Sequence, residues 1–240
     1  MELKISSTKQ KTAENFTDWF IELIGAKQTL HVALSGGSTP KIVFDELAAR
    51  GISKAAWKKV HLYWGDERCV PPDDAESNYK MTLEHLLSKI EIPDKNIHRI
   101  KGEAAPHLEA VRYAGVLKQE LPLVDGLPRF DLIILGMGDD GHTASIFPQE
   151  IGLWDANRLC EVAEHPETGQ QRITITGKII NNAAIVAFLV TGAGKAEKVG
   201  EIIDQRDSFN DYPANLVKPS SGNLFWFLDE AAAAGITNQS

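Results

Sequence analysis

Cysteine is scarce, with 2 residues in a chain of 240, and Cys69 and Cys160 are far apart in sequence with no CxxC between them. No Cys/His grouping has metal-ligand spacing, so both read as ordinary reduced thiols and no metal site is expected. Long apolar runs are missing too: none reaches the roughly 18 residues a membrane span needs, and the start, MELKISSTKQ, has no apolar core of signal-peptide length. A soluble cytoplasmic protein without a membrane partner is expected. Positive charge is in deficit, 25 Lys+Arg against 33 Asp+Glu for a net −8, which argues against a general nucleic-acid binder, since such binding rests on clustered cations. Small anionic substrates stay open, because a few local cations decide that question. Internal repeats, low-complexity tracts and long linkers are absent as well.

What is present suits a sizeable core: 43% of residues are hydrophobic, and the length fits one α/β domain over residues 1–240. Apolar runs recur at Leu30 to Leu34, Val60 to Trp64, Leu132 to Leu135, Ile185 to Val190 and Leu224 to Leu228. Between most of them, apolar residues return every three or four positions, predicting helices over Lys9 to Ile24, Lys41 to Ala49, Ser77 to Ile90, Pro106 to Leu121 and Lys195 to Ile203. This alternation predicts a Rossmann-like, doubly wound, mainly parallel sheet with helices on both faces. Ligands in such sheets bind beyond the carboxyl ends of the strands, so chemistry is sought just after each apolar run. The polar stretch Glu164 to Gln171 reads as a surface loop bordering that region.

Three segments stand out there. After the first run, Ser35-Gly36-Gly37-Ser38-Thr39-Pro40 leads into a helix. Two glycines let main-chain N–H groups converge on an anion, Ser38 and Thr39 add hydroxyls, and the helix N-terminus adds a favourable dipole. No G-K-[ST] follows, so it is not a Walker loop, and read alone its alternative is an N-capped connection without ligand. After the second run, Trp64-Gly65-Asp66-Glu67-Arg68 places a guanidinium suited to phosphate or carboxylate, with Asp66 and Glu67 available to orient it or to cap backbone groups. Asn78, opening the next helix, can cap it, touch a ligand or do both. After the third run, Gly136-Met137-Gly138-Asp139-Asp140-Gly141-His142 delivers an imidazole, with Thr143 to Phe147 expected to begin a helix closed at Pro148. Its glycines match a dinucleotide spacing, but the irregular polar stretch that follows does not continue as a βαβ unit. Arg172 and Lys195 also lie at element boundaries, where a solvated surface charge is the bland alternative. His31, His61, His85, His98, His107 and His165 lack a comparable setting and read as structural or solvated.

Taken together, LSGGSTP at 34 to 40, WGDERCVP at 64 to 71, AESNY at 75 to 79, GMGDDGHTASIFP at 136 to 148, QRITIT at 171 to 176 and TGAGK at 191 to 195 resemble the 6-phosphogluconolactonase family, as does the ending LVKPSSGNLFWFLDEAAA. Ile146, where Leu is usual, is a small departure. The resemblance implies a Rossmann-like domain that hydrolyses 6-phospho-D-glucono-1,5-lactone to 6-phospho-D-gluconate in the oxidative pentose phosphate pathway without a cofactor; the sequence leaves the oligomeric state open, with a monomer expected. The resemblance also implies His142 as general base, with Asp140 as its orienter or a ligand to substrate hydroxyls. Gly36, Gly37, Ser38 and Thr39 become the phosphate or substrate loop, Asn78 a further contact, and Arg68, Arg172 and Lys195 a cationic ring. Two other functions fit parts of the pattern. Glucosamine-6-phosphate deaminase shares the loops, but its motif carries an acidic residue just before the proline, where this chain has Phe147. A non-catalytic sugar-phosphate sensor could dispense with the base altogether.

Overall fold

A computed structural model describes residues 1–237. The five expected apolar runs become β2 (Leu30–Leu34), β3 (Val60–Trp64), β8 (Leu132–Leu135), β11 (Val186–Val190) and β12 (Leu224–Asp229). With β1 (Glu2–Ser6) and β5 (Ile97–His98) at the edges, they form one seven-stranded sheet in the order β1-β12-β11-β8-β2-β3-β5. Every pairing in it is parallel. All residues of β8 and β11 are buried, as strands covered on both faces must be.

The helices are α1 (Lys9–Ala26), α2 (Ser38–Ala49), α3 (Lys54–Trp57), α4 (Asn78–His85), α5 (Pro106–Glu120), α6 (Gly177–Asn182), α7 (Ala196–Asp204) and α8 (Glu230–Ala233). Thr8 caps α1 by accepting the Lys11 N–H, and the helix buries Phe16 and Phe20. Phe16 meets Phe227 of β12 edge-on at 5.0 Å between centroids, one of the contacts that fasten this helix to the sheet.

Two small sheets complete the fold. β6 (Leu123–Val124) and β7 (Leu127–Pro128) make a hairpin, while β4 (Asp66–Arg68), β9 (Cys160–Glu164) and β10 (Gln171–Ile175) make an antiparallel sheet in the order β4-β10-β9. That sheet is not expected from the apolar runs, because β4 is three polar residues paired only through tertiary contact. Residues 165–170, inside the stretch expected as a loop, connect β9 to β10.

Sheet order locates the site. From β2 the chain proceeds outward through β3 and β5, whereas β8, β11 and β12 lie on its other side. The switch point falls between β2 and β8, and there the loops after both strands diverge to leave a crevice.

Candidate active site

A cavity of about 240 Å³ opens at this crevice. Nine of the ten residues expected at the site line it: Gly36, Gly37, Ser38, Thr39, Arg68, Asn78, His142, Arg172 and Lys195. The tenth, Asp140, stands behind His142.

The floor is the loop after β2. Gly37 adopts φ 112°, a conformation open to glycine, and leads into α2 with no side-chain cap on the helix. The helix begins at Ser38 rather than at the expected Lys41, so Ser38 and Thr39 form its first turn and Pro40 its third residue. Early helical N–H groups have no intrahelical partner, which makes proline harmless there and the turn receptive to anions. Thr39 Oγ1 lies 2.8 Å from Thr191 Oγ1, tying the loop to the end of β11. Gly36 is obligatory for a different reason: a Cβ there would overlap the Asn78 carboxamide.

Asn78 is held by β4. Its Nδ2 donates to the Asp66 carbonyl at 3.0 Å, and its N–H donates to Glu67 Oε1 at 2.7 Å. Glu67 also accepts from the N–H groups of Arg68 (2.8 Å) and Tyr79 (2.8 Å) and from Ser77 Oγ (3.1 Å). Burial pushes its carboxyl up despite these donors. Glu67 is therefore a cap for the start of α4, not an orienter of Arg68. Asp66 does not pair with Arg68 either: its Oδ2 accepts from Ser145 Oγ at 2.6 Å.

Arg68 and Arg172 face each other as register partners across β4 and β10. Like charges in that position repel, and the Arg172 guanidinium is held below its usual value by burial and then by Arg68. Among the described residues neither has a carboxylate within ion-pair distance, and the Nε of each is buried without a hydrogen-bond partner. Arg68 donates through Nη1 to the Glu76 carbonyl. Arg172 lies over the Phe147 ring, 5.5 Å from its centroid. Two adjacent guanidiniums at a cavity wall, neither in a direct ion pair, suit an anion, although Asp66 also lines the cavity and acts on Arg172 from a distance. Lys195 reaches the same cavity from a 3-10 turn, Ala193–Lys195, and meets Asp139 Oδ1 at 2.5 Å.

His142 sits opposite. One oxygen of Asp140, Oδ1, accepts from His142 Nδ1 at 2.6 Å and from the His142 N–H at 3.1 Å. Burial alone would raise the Asp140 carboxyl; the hydrogen bond and charge of His142 outweigh it and leave Asp140 below its ordinary value. A carboxylate at Nδ1 fixes the proton on that nitrogen, so Nε2 keeps its lone pair for chemistry. The ring packs on Phe147 with centroids 4.6 Å apart.

One expectation fails here. Residues 143–147 are not a helix: Thr143 and Ile146 form an isolated bridge, Ala144 has φ 50°, and Pro148 opens a 3-10 helix (Pro148–Asp155) instead of closing one. Side-chain bonds compete with helix formation in this segment. Thr143 Oγ1 donates to the Gly136 carbonyl at 2.9 Å, and the Ser145 N–H donates to Thr174 Oγ1 at 3.2 Å. No helix dipole therefore acts on His142. The residues that sequence reasoning missed are these supports, Ser145, Thr174, Thr191 and Phe147, whose roles come from contacts across 25 to 152 positions. The hydroxyl-rich HTAS run was their only local signal.

The arrangement can hold a phosphorylated ligand and take a proton from a water beside it. Among the described residues no His/Cys/Asp/Glu group could hold a metal, and no helix is long and apolar enough to cross a membrane. Similarity to known proteins agrees with the geometry. Residues 5–226 match the family model described as glucosamine-6-phosphate isomerases/6-phosphogluconolactonase. A 6-phosphogluconolactonase of Haemophilus influenzae is 43% identical over 226 residues, 94% of this chain and 95% of that one. The human 6-phosphogluconolactonase is 39% identical, covering 90% and 84%. The structure of 6-phosphogluconolactonase from Trypanosoma brucei superimposes with a TM-score of 0.87 at 30% identity over 98% of both chains. With that match and the site it encloses, the chain belongs to the glucosamine-6-phosphate isomerase/6-phosphogluconolactonase family.

Proposed function

We propose that this chain hydrolyses 6-phospho-D-glucono-1,5-lactone to 6-phospho-D-gluconate, the lactonase step of the oxidative pentose phosphate pathway, as a cytoplasmic monomer formed by one domain. The observation that carries this is the His142–Asp140 pair, with Nδ1 engaged at 2.6 Å and Nε2 left for a cavity walled by Arg68, Arg172 and Lys195. The cations and the first turn of α2 hold the phosphate and polarise the lactone carbonyl. Nε2 takes a proton from water as its oxygen attacks the carbonyl carbon, and the tetrahedral oxyanion is met by the cationic wall. Collapse breaks the ring C–O bond, His142 returns its proton to the leaving ring oxygen, and the new acid ionises to the carboxylate. Asp140 holds the imidazole and stabilises its charged form.

Relatives named as lactonases support this assignment. A deaminase would need a carboxylate just before Pro148; Phe147 there is 1% exposed and packed against His142. A sensor would have no use for a histidine so held.

His142→Ala tests the mechanism through the initial lactonase rate corrected for spontaneous hydrolysis, with a melting curve alongside. Turnover should fall by ~10²–10⁴-fold in a variant that stays folded and binds 6-phosphogluconate. A near-parental rate in that folded variant would remove His142 from the chemistry.

A further inference from the structure

The turn that carries Asp140 and His142 also carries a carboxylate the chemistry does not use. Asp139 is exposed, its side chain 83% accessible, yet its Oδ1 lies 2.5 Å from Lys195 Nζ. Lys195 lines the cavity and is itself only 25% accessible. The two arrive from different parts of the sheet, Asp139 after β8 and Lys195 after β11. Among the described residues the cationic wall is thus unevenly compensated: Lys195 is in a direct ion pair, whereas Arg68 and Arg172 are in none and Arg172 feels Asp66, Glu76 and Glu67 only from a distance. An ion pair whose carboxylate is so open to solvent holds weakly, so a phosphate or carboxylate entering the cavity can exchange with Asp139 for Lys195. Asp139 then competes with the ligand for one cation.

Such a competitor does not act equally on both ends of a lactone hydrolysis. The substrate brings a phosphate and an uncharged ester; the product brings the same phosphate and a new carboxylate. A fixed negative charge beside a binding cation penalises the more highly charged species more. We propose that Asp139 is a specificity-determining residue that competes with bound anions for Lys195 and weakens the hydroxy-acid product more than a ligand carrying phosphate alone. The proposal rests on the lactonase assignment for the identity of that product.

Asp139→Asn removes the charge at an exposed position and keeps the side-chain shape, and Asp139→Glu restores the charge. Isothermal titration of both variants and the parent with 6-phosphogluconate and with inorganic phosphate, at low and high salt, reads the effect. Asp139→Asn should bind 6-phosphogluconate roughly two- to fivefold tighter than the parent, phosphate should gain less, and both gains should shrink with salt. Its steady-state turnover should show correspondingly stronger product inhibition, and Asp139→Glu should return towards the parent. Unchanged or weaker product binding in Asp139→Asn, or equal tightening of both anions, overturns the proposal. Failure of the lactonase assignment has a separate signature, a parent that turns over no lactone, while the Asp139 comparison is still read from the two titrations.

Discussion

A single oxygen of Asp140 fixes His142 by both its ring and its backbone, so the geometry of the pair depends on how closely the turn can fold. Gly138 sets that limit. Its N–H donates to the His142 carbonyl at 2.9 Å, and a Cβ on it would run into His142 Nδ1 and Asp140 Oδ1. Gly138→Ala should therefore lower kcat by at least tenfold while shifting Tm only modestly, because the displaced groups can move toward solvent; rate and melting curve measured together check this. Arg172 makes a different prediction. It is 9% exposed, repelled by Arg68 and in no direct ion pair, with Asp66, Glu76 and Glu67 only partly offsetting burial and that repulsion, so its removal relieves a strain in the free protein and harms mainly ligand binding. Arg172→Ala should weaken 6-phosphogluconate by about 1.5–3 kcal/mol in titration and leave stability little changed, with loss of its stacking on Phe147 offset by relief of the repulsion. A large fall in Tm with unchanged binding would mark it as a packing residue instead.

Among the elements, the five long apolar strands and most helices were legible in the sequence, because burial on both faces or one face writes itself into local periodicity. β4 and β10 were not, since their pairing joins Asp66–Arg68 to residues more than 100 positions away and neither segment is apolar enough to announce it. The same distance hid the supports of the site, whereas its charged and glycine residues stood at strand ends where the fold class directs attention. The expected helix over 143–147 failed because hydroxyl bonds, from Thr143 back to the preceding turn and from Ser145 across the molecule to Asp66, outcompeted local propensity. Glu67 shows the cost of such long-range caps. It satisfies the N–H of Arg68 in β4 and, at the start of α4, two N–H groups and one hydroxyl, all from a residue that is 2% exposed. Glu67→Ala should orphan those donors and destabilise the protein by about 3 kcal/mol or more, read by chemical denaturation. It should also loosen Asn78, so substrate affinity should fall with stability.

For the molecule as a whole, a histidine cluster away from the site, on β2, β3 and β5, bears on acid tolerance. His31 and His61 are register partners with ring centroids 5.0 Å apart, and His61 Nδ1 lies 3.2 Å from His98 Nε2. Tyr63 stacks on His98 at 4.3 Å, and its hydroxyl lies 3.2 Å from His31 Nδ1. All three imidazoles are held below the ordinary histidine value, each mainly by burial, with the charge of His61 adding to the effect on His31 and His98. Asp131 and Glu120 oppose the shift at His31, Glu120 opposes it at His61 and His98, and Lys95 reinforces it at His61. A folded-state value below the unfolded one means the unfolded chain binds protons first as pH falls, so stability is complete above about 6.5 and is lost as pH drops through the folded values. Crowding three imidazoles makes the second and third charges dearer than the first. Tm should accordingly fall between pH 7.5 and 5.5, and His61→Gln, which removes the central member of the cluster, should flatten that dependence even if it lowers Tm at neutral pH. Parallel pH curves for parent and variant would show that the cluster does not govern the acid limb.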